Sequence, residues 1–145
     1  MNTTTMEELQ RIFEKAPFIA DLGIKPQSMG QGECVTMLVL QKRHLQQNGF
    51  VHAGVQATLA DHTAGAAAAT LIAEGQIVLT AEFKINLLRA AKGERLVCRS
   101  KVLKPGRQFS VVESEVFCQS SGQEQLVSKA IATIAVVNAG YAAQE

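Results

Sequence analysis

The stretch Asn48–Ala69, NGFVHAGVQATLADHTAGAAAA, constrains the fold more than any other part of the chain. The segment Val55–Ala73 holds no proline and is dominated by alanine, which predicts one long helix. Between Ala64 and Ala69 no side chain exceeds a methyl group, so a sheet can close around this helix at short range. Asp61 and His62 interrupt the run. Burying an ionised carboxylate costs several kcal/mol unless it is paired or hydrogen-bonded, so Asp61 needs a reason. Helical spacing puts Gly54, Thr58, Asp61, Gly65 and Ala68 on one face, and Val55, Leu59, Ala66, Ala69 and Ala73 on another. The first face is small enough to leave room for a ligand beside the carboxylate. The helix start follows His52-Ala53-Gly54, where free backbone N–H groups can hold a negative oxygen. Asp61 lies about two turns in, which predicts that it reaches a ligand held at that end. Asp61 is then a functional carboxylate or, alternatively, an aspartate on a solvated stripe. His62 is expected to point elsewhere, as a structural or interface histidine. The spacing of His52, Asp61 and His62 matches no recognised metal-ligand pattern, so no metal is expected.

The flanking sequence supplies the sheet. Thr5 and Glu8 form a capping-box pattern ahead of a helix whose apolar stripe is Leu9, Ile12 and Phe13, with Pro17 as its stop. FIADLGIKPQSMGQG reads as extended and broken by glycines, Glu33–Gln41 as a strand, and KRHLQQNG as a polar loop. After the long helix come four strand candidates, separated by turn signals at Lys92-Gly93, Pro105-Gly106 and Ser121-Gly122. Strands joined by such short turns predict an antiparallel sheet and an α+β fold rather than alternating βαβ units.

A chain of 145 residues fits one domain, taken as 1–145. A net charge of +1 gives no electrostatic reason to expect a nucleic-acid partner. No apolar run is long enough to span a membrane, and the N-terminus lacks the basic-then-apolar order of a secretory signal. Cys34, Cys98 and Cys118 form no CxxC pair. An odd, scattered count predicts buried, reduced thiols and a cytoplasmic location.

These residues carry a resemblance. NGFVHAGVQATLADHTAGAAAATL resembles the signature of hotdog-fold acyl-CoA thioesterases, of the PaaI-like and 4-hydroxybenzoyl-CoA thioesterase groups. Gln46, His52 and Asp61 stand at the family's spacings. LTAEFKINLLRAAKGERL and PGRQFSVVESEVFCQSSGQEQLVSKAIATIAV resemble its later segments, so the likeness covers nearly the whole chain. It implies a hotdog fold, a long helix wrapped by an antiparallel sheet, with sites at the interface of a homodimer and dimers often paired into tetramers. It implies that Asp61 is general base or nucleophile, that the Ala53 N–H polarises the thioester carbonyl, and that Gln46 orients the thioester or the attacking water. It also implies a hydroxyl role for Thr80, often contributed by the partner subunit. The family's His-Gly-Gly is His52-Ala53-Gly54 here, and the hydroxyl residue that one group carries four positions after the acid is Gly65.

Thioester hydrolysis needs a base or nucleophile and a donor for the oxyanion. A thiolate leaves readily, so neither a strong general acid nor a cofactor is expected. Gly54, Phe50, Thr58 and Gly65 would shape the site. Arg89, Lys104 and Arg107 are candidates for the coenzyme A phosphates, with Arg107 preferred. Two rivals remain: a non-catalytic acyl-CoA-binding module, and a hotdog hydratase. The hydratase pattern of an Asp followed five residues later by His meets Ala66 here.

Overall fold

Thr5 opens the first helix as its pattern predicts. Its hydroxyl accepts from the Glu8 N–H at 3.2 Å, and the Glu8 carboxylate accepts from the Thr5 N–H at 2.7 Å. In the computed structural model, which describes residues 5–144, the order is α1 (Met6–Glu14), α2 (Pro17–Leu22), β1 (Lys25–Gly30), β2 (Glu33–Val39), α3 (Ala53–Ala69), β3 (Gln76–Leu87), β4 (Arg95–Lys104), β5 (Phe109–Ser120) and β6 (Gln123–Asn138). Short 3-10 turns occupy Lys42–His44 and Ala139–Gln144.

The segment expected to be extended after Pro17 is helical only at its start, in α2, and then runs extended as β1. Proline's fixed φ and missing N–H suit the first position of a helix, so Pro17 opens α2 rather than merely ending α1. Gly23, at φ 91°, closes α2 in the left-handed conformation that glycine adopts without strain. The loop before α3 is not wholly polar either. His44 is fully buried, its Nδ1 accepting from the Gln41 N–H at 3.0 Å and its Nε2 lying 2.7 Å from the Leu22 carbonyl. That histidine ties the loop to the end of α2.

All six strands form one antiparallel sheet in the order β1-β2-β4-β5-β6-β3. Its concave face wraps α3, giving the α+β hotdog arrangement of a long helix inside a curved antiparallel sheet. Ala60, Ala64, Ala67 and Ala68 are buried against strands, as a helix of small girth permits. Buried hydroxyls lie under the same face: Thr36 and Thr63 are 2.7 Å apart, and Ser114 donates to the Ala60 carbonyl at 2.8 Å. The helix runs from Ala53 rather than Val55 and stops at Ala69, with Thr70 as its C-cap. The sheet covers a wide arc of it. Ala68, predicted on the Asp61 face, is therefore turned into the core, while Ala66 and Ala69, predicted on another face, stay partly open beside Asp61.

One edge of the sheet is β3. Paired only with β6, it leaves Leu79, Phe83 and Leu87 exposed. Its register slips once: Thr80 pairs with Ile134, and Glu82 with Thr133. Ala81 is thus the extra residue of a β-bulge, which bends the strand next to Thr80.

Candidate active site

His52 builds the start of α3. Its backbone is extended (φ −61°, ψ 137°), and its Nδ1 accepts from the Gly54 N–H at 2.8 Å. The imidazole so performs the N-cap task usually given to Ser or Asp. Gly54 has its N–H consumed by this cap. Ala53, one residue earlier, has an N–H without an acceptor among the described residues. Ala53 is the first helical residue and has no positive φ, so the family's glycine is replaced here without strain.

The loop ahead of the helix folds on the Gln46 side chain. Its Oε1 accepts from the N–H groups of Asn48 and Phe50, and its amide NH₂ has no partner among the described residues. Gln46, Phe50, His52, Ala53, Gln56, Leu87 and Arg89 line one pocket of about 420 Å³. Lys92 sits over the Phe50 ring at 6.0 Å from its centroid.

Asp61 belongs to a different cavity. Thr80 donates to Asp61 Oδ1 at 2.7 Å, within the same chain. Beside this pair lies a cavity of about 290 Å³, lined by His62 and Gly65 and by the apolar side chains of Ile12, Phe13, Met29, Ala66, Ala69, Val78 and Ile134. His62 does not point away, as its sequence position suggested. It forms part of this wall and meets the Phe13 ring edge-on at 4.8 Å between centroids. Burial holds its imidazole below the usual pKa, with the Asp61 charge opposing.

The two cavities separate the residues that the sequence grouped. Ala53 and Asp61 are eight residues apart on one helix, about 12 Å along its axis. A single thioester carbon cannot touch both in one chain, which corrects the expectation of direct reach. Phe50 lies with Gln46, away from the Asp61 cavity. Thr58 donates to the Gly54 carbonyl at 2.8 Å and lines neither cavity. Arg107 lies in a third depression with Gln76, Asn138 and Tyr141. Arg89 is the arginine that reaches the Ala53 pocket. Sequence reasoning missed Ile12, Phe13, Met29, His62 and Gln56. The α1 stripe was the one available signal for the first two. Among the described residues, no three His, Cys, Asp or Glu side chains gather as a metal-ligand group.

Comparison with known proteins adds to this geometry. A family model described as the thioesterase superfamily matches residues 48–125, more than half of the chain. A thioesterase family protein of Silicibacter pomeroyi is 32% identical, with a TM-score of 0.87 over 92% of this chain and 99% of that one. A 1,4-dihydroxy-2-naphthoyl-CoA hydrolase of Listeria monocytogenes is 28% identical over 79% of this chain and 91% of its own. The PaaI protein of the E. coli phenylacetic acid degradation operon shares the fold, with a TM-score of 0.79 at 22% identity over 88% and 89% of the two chains.

Proposed function

Because the chain belongs to the thioesterase superfamily, we propose that it hydrolyses acyl-CoA thioesters at a site completed by a second copy of itself. The observation that carries this reading is the division of the machinery. A free helix-start N–H at Ala53 and a hydroxyl-paired carboxylate at Asp61 lie too far apart to share one carbonyl in one chain. A dimer in which α3 runs antiparallel to its partner puts Ala53 against Asp61 of the partner subunit.

The exposed β3 edge supports that dimer. A long apolar edge strand invites pairing with another chain. Antiparallel pairing centred near Phe83 sets the Leu87 end, which lines the Ala53 pocket, against Thr80 of the partner subunit. A two-fold axis makes two equivalent sites.

In this site the thioester oxygen accepts from the Ala53 N–H, and the Gln46 NH₂ is a second donor beside it. The partner's Asp61 takes a proton from water as the water oxygen bonds to the carbonyl carbon. Alternatively, its carboxylate attacks directly and a mixed anhydride is hydrolysed next. Collapse of the oxyanion breaks the C–S bond, and coenzyme A leaves as a thiolate. Thr80 fixes one carboxylate oxygen and so aims the other. The acyl group enters the apolar cavity next to Asp61. At about 290 Å³ it stands at the small end of ligand pockets, which favours an aryl or short-to-medium acyl group. The aryl-CoA named for the Listeria relative agrees with this. Arg89, which lines the Ala53 pocket, and Lys92, over the ring of its Phe50, suit the coenzyme A phosphates better than Arg107 does. Three free, buried cysteines agree with a cytoplasmic setting.

Thiol release from a panel of aryl, short-chain and long-chain CoA thioesters tests the activity. Asp61→Asn should remove it while the protein stays folded. Mixing Asp61→Asn with a variant disabled at Ala53 tests the division: reassorted dimers carry one intact site, restoring up to about a quarter of the wild-type rate. No recovery after verified subunit exchange defeats the composite site, and an inactive wild type defeats the hydrolase reading.

A further inference from the structure

Two exposed charges, Glu82 and Lys84, stand on the edge strand β3 with no ion-pair partner among the described residues. They flank Phe83. They lie opposite Thr133 and Ile131 of β6, which alternate with the buried Ala132 and Ala130. Both side chains therefore stand on the outer face of the sheet, and Phe83 on the inner one. Glu82 is steadied there by Thr133, whose hydroxyl donates to Glu82 Oε1 at 3.2 Å. All three positions follow the bulge at Ala81, so their alternation is regular.

A two-fold axis between antiparallel strands sets one residue opposite its own copy, and residues equally far from it on either side then face each other. The choice of that residue decides what the two charges meet. Centred on Glu82 or on Lys84, the dimer would set a charge against its own copy, and like charges directly opposite destabilise a sheet. Centred on Ala81 or Ile85, it would set both charges against neutral residues. Centred on Phe83, Glu82 faces Lys84 of the partner subunit, Lys84 faces Glu82 of the partner subunit, and the half-exposed Phe83 ring faces its copy. Opposite charges and aromatic pairs so placed both favour pairing. Resting on the composite-site reading, we propose that Glu82 and Lys84 form two ion pairs across the dimer and hold the β3 edges in the register centred on Phe83. They are positioning residues. Moving the centre by one residue slides the partner by two, about 7 Å. That slide would carry the partner's Asp61 away from the Ala53 pocket, which takes the coenzyme A carrier.

The test reads pairing, so it does not depend on turnover. Wild type and the double variant Glu82→Lys/Lys84→Glu, given different masses by a tag, would be mixed, left to exchange subunits and weighed by native mass spectrometry at low ionic strength. Each homodimer keeps two opposite-charge contacts, because the swap preserves them. A mixed dimer sets Glu against Glu and Lys against Lys. Mixed dimers should fall to about one in ten, against the half that random exchange gives, and return towards half at about 1 M salt. Glu82→Lys alone should weaken the dimer about tenfold, and adding Lys84→Glu should restore it. A mixed share of one half at low salt overturns the proposal, because the charges then do not face each other. An excess of mixed dimers also overturns it, because a charge then faces its own copy. Wild type decides the matter if the double variant does not fold. In a mixture of unlabelled and isotope-labelled chains, a carbodiimide should join Glu82 of one copy to Lys84 of the other, and absence of that link overturns the proposal. A monomeric wild type overturns both this register and the composite site. Sorting as expected without hydrolysis of any thioester sinks the hydrolase reading alone, and hydrolysis without sorting sinks the register alone.

Discussion

Replacing Ala53 with proline separates the catalytic use of its N–H from any structural one. Ala53 is the first residue of α3, and its N–H has no acceptor among the described residues. Proline is favoured at this position because its ring supplies a helical φ and the N–H it lacks is unused. The preceding residue must tolerate proline as well, and His52 already has the extended backbone that proline demands of its neighbour (ψ 137°). Ala53 is exposed, so the ring meets the pocket rather than the core. Stability should therefore hold or rise by roughly 0.4–1 kcal/mol, through the loss of unfolded-chain freedom. Catalysis should not hold. One oxyanion donor accounts for roughly 2.7–4 kcal/mol of transition-state stabilisation, which predicts a fall in kcat of about 10²- to 10³-fold. The assay pairs thiol release under saturating substrate with a thermal melt of the same preparation. A folded Ala53→Pro dimer that hydrolyses at close to the wild-type rate would refute the oxyanion role of this N–H. A large drop in melting temperature would refute the claim that the N–H is structurally idle.

Three further outcomes follow from the same geometry. Thr80→Val removes the hydroxyl 2.7 Å from Asp61 and should lower kcat about tenfold with little change in KM, because it frees the carboxylate without touching the carrier; an unchanged kcat contradicts the aiming role. His62 is held below the usual value near 6.5 by burial, so the folded state favours its neutral form; that contribution is complete above about 6.5 and is lost as pH falls towards the folded value, and His62→Leu should flatten the acid side of a melting-temperature profile. Cys34 and Cys98, pushed up by burial to about 12 and about 11, should resist alkylation at pH 8 in the native protein and react once it is unfolded; rapid native labelling of either would contradict their burial.

Much of this was legible in the sequence. The Thr5/Glu8 pair announces α1, and the alanine run with its short-turn strands announces a helix inside an antiparallel sheet. What failed failed for local reasons. Pro17 ends one helix and begins another, and residue identity alone does not say which role dominates until Gly23 is seen to close the new turn. Asp61, Ala53, Gln46 and Thr80 were identifiable as residues, but their grouping depended on where α3 starts. Once it starts at Ala53, simple rise along the axis separates the donor from the acid. Phe13 reaches His62 across 49 positions of chain, and no periodicity within either helix encodes that meeting. Gln56 shares a pocket with residues of the preceding loop and the end of β3, a grouping that no helical periodicity encodes.

The bulge at Ala81 works as a change of phase along β3. Ahead of it, the even-numbered Val78 and Thr80 pair opposite Val136 and the buried Ile134; beyond it, the odd-numbered Phe83 and Ile85 pair opposite the buried Ala132 and Ala130. One inserted residue lets a single strand serve the acid cavity with its first half and send Leu87 to the carrier pocket with its second. Position 81 is accordingly forgiving in identity and strict in number. A different small residue there would leave both halves in place, whereas deleting it would turn Phe83, Ile85 and Leu87 to the outer face and disconnect the two cavities from their shared strand.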